Sequence, residues 1–97
     1  MNSRNRITEA QQIAETVGLI VGAASCCEQV LDERLKAVAV KMRELVAATA
    51  DDETDADLAN EQFNAAVEVG KTAVESGRID PERAEVALNE LEGELWT

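Results

Sequence analysis

The chain has no histidine and no tyrosine, a single phenylalanine, tryptophan and proline, and two cysteines that are adjacent, Cys26 and Cys27. Each shortage excludes something. Without histidine, the commonest general base and the commonest zinc or di-iron ligand are missing. The Glu-x-x-His pairs of di-metal helical bundles are missing with it. No serine or cysteine is spaced against a base, and no glycine-rich phosphate loop follows a strand. These residues point to a protein that is not an enzyme and that carries no metal or other cofactor. Two neighbouring cysteines cannot staple a small fold, which suits a reducing, cytoplasmic compartment.

Few aromatics and abundant alanine leave little bulk for a core in a chain of 97 residues. That length supports one domain near the lower end of what buries its own interior. Alanine hides little surface, so a lone copy has a thin core, and association is the usual remedy. Alanine, leucine, glutamate and valine, with only Pro81 to interrupt them, favour an all-α fold.

Charge is unevenly placed. Residues 1–50 are balanced, and the net charge of −11 arises entirely from residues 51–97, where Lys71, Arg78 and Arg83 face fourteen carboxylates. That sign repels phosphate and argues against nucleic acid or anionic lipid as a partner. It suits a basic protein, or simply solubility.

The uncharged run from Thr16 to Cys27 lies between Glu15 and Glu28. It is too short to cross a bilayer, which takes ~20 apolar residues as a helix. Arg4, Arg6 and Ala23-Ala24-Ser25-Cys26 resemble a bacterial lipoprotein leader, with Cys26 as the anchor. Glu9, Gln11, Gln12 and Glu15 interrupt that leader and argue against export. Cys26 and Cys27 would lie ~100° apart on a helix, a poor geometry for bonding each other. Their simplest role is that of small buried side chains.

Apolar or small residues recur at Ile13, Val17, Ile20, Ala24, Cys27, Leu31, Leu35, Val38, Met42 and Leu45 in alternating steps of three and four, with one repeated step at Cys27–Leu31–Leu35. The pattern predicts one long helix over 7–48 with a stutter in its seam. An acidic turn over 49–55 follows, then a second helix over 55–76 with Ala59, Phe63, Ala66, Gly70 and Ala73 or Val74 inward. Gly77 suits a helix terminus, and Asp80 and Pro81 open a third helix over 81–95. Asp51-x-Glu53-x-Asp55-x-Asp57 imitates a calcium loop, but Ala56 and Gln62 stand where glycine and a closing glutamate are needed. Helix capping explains those carboxylates better.

The expected architecture is a long antiparallel helical hairpin whose return arm is broken, three helices in all. Arg43 and Lys36 would face Glu61 and Glu68 across it. Ala10, Ala14, Gly18, Gly22 and Cys26 form a ridge of small side chains at four-residue spacing, a surface on which helix backbones approach closely. The surrounding segment, with Leu19, Val21, Ala23 and Val30, is apolar almost all round and calls for protein on every side. The third helix is too narrow to cover it, which assigns Ala14, Val17, Gly18, Gly22, Cys26 and Val30 to a homodimer interface like a four-helix bundle. Function is readable only as a class, a small acidic interaction or assembly protein acting as a homodimer. The alternative is an acidic neutralising partner of a basic protein, of the immunity, antitoxin or secretion-chaperone type. Glu82, Glu85 and Glu92 are then the candidate contact surface.

Overall fold

Capping residues readable in the sequence begin three of the four helices in the computed structural model, which describes residues 7–96: α1 (Glu9–Ala24), α2 (Asp32–Thr49), α3 (Glu53–Glu75) and α4 (Pro81–Leu95). The Thr8 hydroxyl accepts the Gln11 amide at α1, the Asp52 carboxylate accepts the Asp55 amide at α3, and the Asp80 carboxylate accepts the Glu82 amide at α4. Each satisfies an amide that the first helical turn leaves without an intrahelical partner. Pro81 holds the first helical position of α4, where its missing amide costs nothing. At the other end of α3, Gly77 takes a φ of 81°. The Arg78 and Gly77 amides return to the carbonyls of Ala73 and Val74, a Schellman ending that glycine adopts without steric cost. No helix among the described residues is long and apolar enough to cross a membrane. Arg4 and Arg6, invoked for a leader, lie outside the described residues.

The expected single helix over 7–48 is two helices, so the fold has four and not three. A straight helix of that span would be ~60 Å long, well beyond the molecule's greatest extent of 40 Å. Ser25 ends α1 by donating its hydroxyl to the Gly22 carbonyl at 2.6 Å. The Cys26 and Cys27 amides then bond the carbonyls of Ala23 and Ala24, three residues back. That pattern tightens the last turn where the helix ends. Cys27 and Val30 are buried in the connection, while Leu31 is 64% exposed. The repeated four-residue step of the seam therefore marks a change of direction, with Leu31 outside the core.

The break lets α1 become the centre of the molecule, packed against α2, α3 and α4, while α3 and α4 scarcely meet. Thr8 reaches Asp55, Glu15 reaches Gln62 and Cys26 reaches Lys71, so α1 and α3 run parallel at a nearly constant offset. The long axes of α2 and α4 run the opposite way. Leu45 lies beside Ile13, and Leu91 and Leu95 flank the same end of α1, whereas Ile79 and Ala84 flank Ala23 at its other end. The result is a slab of 40 × 29 × 17 Å. Its largest wholly buried side chains are Met42, Leu88, Val38 and Val46.

Because α3 lies along α1, the expected pairs Arg43–Glu61 and Lys36–Glu68 do not form. Glu68 lies 3.8 Å from Lys71 on its own helix, Lys41 pairs with Glu44, and Arg34 crosses to Glu92. The α1–α3 contact is instead set by backbone approach. A Cβ at Gly18 would stand 2.7 Å from both the Ala66 Cβ and the Phe63 carbonyl oxygen; one at Gly22 would stand 2.0 Å from the Val67 oxygen, and one at Gly70 would stand 2.4 Å from the Leu19 oxygen. Each glycine lowers helix propensity by ~1 kcal/mol relative to alanine, and the close packing it permits offsets that cost.

Gly22→Ala is expected to lower stability by about 3 kcal/mol, because the added methyl meets backbone that cannot yield without separating the helices. Gly93→Ala, where a Cβ meets nothing within 4 Å, is expected to raise stability by about 0.5–1 kcal/mol through helix propensity. Urea denaturation of the two variants beside the parent checks both signs. Equal midpoints for Gly22→Ala and the parent would remove the crossing from this account.

Candidate functional site

The residues assigned by sequence to a second copy are occupied within one chain. Ala14, Val17, Gly18 and Gly22 are buried in α1, and Val30 is buried in the connection that follows. The break places α2 and α4 as well as α3 against α1, which buries most of the segment 17–24 within its own chain and leaves Leu19 and Ile20 half-buried. Cys26 is half-buried, with its Sγ 3.9 Å from the carbonyl oxygens of Gly22 and Lys71. Cys27 is buried and directs its thiol to Gln29 Oε1 at 3.1 Å.

The three carboxylates assigned to a basic partner separate into different roles. Glu82 is exposed and Glu85 half-buried on α4. Glu92 is engaged by Arg34, whose Nε and Nη2 donate to its two oxygens at 3.1 and 2.6 Å, while Nη2 also donates to Asn89. The hydrogen bond to Glu92 raises the Arg34 pKa above its ordinary value despite burial, and the charges of Glu92 and Glu85 add to the effect. A forked pair at this partial exposure contributes ~1 kcal/mol and fixes α4 against the start of α2. Glu92 is thus a tie between helices.

The acidic turn also contains an inward-facing member. Asp55 is 7% exposed. Its Oδ1 accepts from the Thr8 hydroxyl at 2.7 Å and the Gln11 amide group at 3.1 Å, and its Oδ2 accepts the Asp51 amide at 3.0 Å. The Asp51 amide first, then the Thr8 hydroxyl and Gln11, hold its pKa below the ordinary carboxylate value. This cluster fastens the N-terminus of α1 to that of α3. Among the described residues, no group of three or more His, Cys, Asp or Glu side chains is placed to hold a metal ion.

Part of the apolar surface that the fold leaves open lies around Leu19, itself half-buried. Toward α3, Leu19 lines an open groove with Glu15, Gln62, Ala65, Ala66 and Val69. Toward α4 it lines a second groove with Ile20, Ala23, Ile79, Arg83, Ala84 and Ala87. Val69 on the first rim is 57% exposed. A separate groove at the other end of α1 is lined by Ile13, Thr16 and Val17 with Leu45, Leu91 and Leu95. The first groove holds about 300 Å³ and the second about 130 Å³, at and below the lower end of the ~300–1,000 Å³ of ordinary small-molecule pockets. Shallow apolar ground bordered by charged side chains instead fits another protein surface. A separate groove beside Trp96 and Val40 is interrupted by Lys41 and Glu44.

No protein family, curated protein or solved structure matches the chain. The surface itself therefore carries the functional argument.

Ala65, Val69, Arg83 and Ala87 are not singled out as a site by sequence, whereas Leu19 and Ile20 enter only as part of the apolar segment read as an interface. A signal existed: Leu19 is apolar yet off the seam, and Ala65 and Val69 are one turn apart beside the inward row of α3. Apolar residues left over after the inward face is assigned are the trace of an exposed apolar strip.

Because the folded pKa of Asp55 is lowered, its contribution to stability is complete above its unfolded value of ~4 and is lost as pH falls through the lower folded value. Asp55→Asn is expected to destabilise the protein at neutral pH and to flatten its stability below pH ~4. Thermal melts from pH 2 to 7 test this, and parallel pH profiles for variant and parent would contradict it.

Proposed function

We propose that this chain is a small, acidic, non-catalytic interaction module that acts as a homodimer and docks through the face around Leu19. One observation carries the reading: two apolar grooves meet at Leu19, on the outside of the helix that organises the whole core. Its slab is 17 Å through the shortest axis, so pairing two copies face to face thickens an otherwise thin interior. The lack of histidine, and of any nucleophile set against a base, supports binding rather than chemistry.

A second reading, an acidic partner that neutralises a basic protein, is favoured by the exposed Glu82 and by the acid excess of residues 51–97. The two readings separate on the purified chain. A homodimer persists as salt rises, whereas a neutralising partner is monomeric alone and binds a basic protein with steep salt dependence.

Sedimentation of the parent chain at micromolar concentration is expected to give a dimer. Leu19→Glu buries a charge in that interface and is expected to weaken the dimer by about tenfold or more, ~1.4 kcal/mol per decade, with helicity unchanged. A parent that sediments as a monomer, or a variant that dimerises equally well, would exclude this surface.

A further inference from the structure

We propose that two copies pair about a twofold axis beside Leu19, with Glu15 of each copy meeting Arg83 of the other. The inference rests on the Leu19 face being the docking surface and specifies its occupant as a second copy in one register.

In a symmetric pair, each feature faces whatever lies diametrically across the axis on its own surface. Glu15 lies one helical turn before Leu19 and borders the groove toward α3. Arg83 borders the groove toward α4, beside Ala23 and Ile79, past Leu19 along α1. The two charges therefore occupy opposite corners of the face with Leu19 between them. Rotation about Leu19 brings each onto the other, while Leu19 and Ile20 of the two copies meet at the centre.

The electrostatics favour a second copy. A chain of net charge −11 repels itself unless its contact face contains its own compensating charge. Arg83 is one of only three basic residues after position 50, and it forms no ion pair among the described residues, whereas Lys71 is paired with Glu68. Glu15 is held in place by Gln62, which donates to its Oε2 at 2.8 Å. One acid and one base at opposite corners are complementary to themselves, and a uniformly basic partner would meet Arg83 with repulsion. Such pairs set register and exclude wrong partners more than they add affinity.

Charge reversal in the full chain tests the register. Glu15→Arg and Arg83→Glu, each alone, are expected to raise the dimer dissociation constant by about tenfold, because each places like charges together twice per dimer. An equimolar mixture of the two variants is expected to recover pairing to within about threefold of the parent, since both cross-contacts are then opposite in sign. Circular dichroism of each variant checks that it is folded, and the milder Arg83→Gln is expected to weaken pairing by about threefold. If the reversals and Arg83→Gln leave the dimer unaltered while Leu19→Glu dissociates it, the face stands and the Glu15–Arg83 register is wrong. Failure of the mixed variants to recover likewise overturns the register. If the parent is monomeric, both the register and the underlying reading fall.

Discussion

The fold depends on the close approach of two parallel helix backbones at Gly18, Gly22 and Gly70. At these positions the glycines carry no side chain, and the carbonyls of Phe63, Val67 and Leu19, with the Ala66 methyl, crowd the space where Cβ atoms would stand. A contact this short leaves little freedom in spacing or register. It takes one flank of α1 entirely for α3. The remaining flanks pack against α2 and α4 through larger side chains, among them Val38, Met42, Val46 and Leu88. A core poor in aromatics is therefore built by bringing backbones together on one side of α1 and filling with aliphatic side chains on the other.

Reversal of the chain over residues 25–31 follows from that arrangement. If α1 continued in a straight line, the apolar side chains of α2 would run beyond the end of α3 into water. Turning after Ser25 returns them along α1 and buries Cys27 and Val30 at the bend. The hydrogen bonds at Ser25, Cys26 and Cys27 make the turn locally acceptable, but none requires it. Burial of the α2 apolar face supplies the larger driving force.

Charges are sorted by the same geometry. Asp55 and Glu92 come from the acidic half and are drawn inward or between helices by specific donors. Glu82 and Glu90 of α4 are exposed, and like charge there opposes close approach of a second acidic molecule. The face around Leu19 has a different balance, mostly apolar with Glu15 and Arg83 at its borders. That contrast between neighbouring surfaces is the physical basis for placing the proposed docking function there.

Much of the local structure was legible in the sequence. Asp80-Pro81, Gly77 and the acidic residues near position 52 mark helix ends by short-range hydrogen bonding and backbone preference, which do not depend on the rest of the fold. The inward row Ala59–Phe63–Ala66–Gly70 follows from helical period alone. The small-residue ridge at Gly18 and Gly22 also declared a close helix contact, but not whose helix it would be. Ridge chemistry is the same whether α3 or another copy fills it, so sequence alone could assign these residues to a subunit interface where α3 in fact packs. The break at residues 25–31 was hidden for a related reason. Its seam residues keep a helical spacing across the turn, and no glycine or proline stands there. Sequence determined which segments are helical and which sides are apolar, because those are properties of a few neighbouring residues. Only the tertiary structure decided which apolar sides meet and which remain exposed, because that depends on contacts between residues some 45 positions apart competing for the same surface of α1.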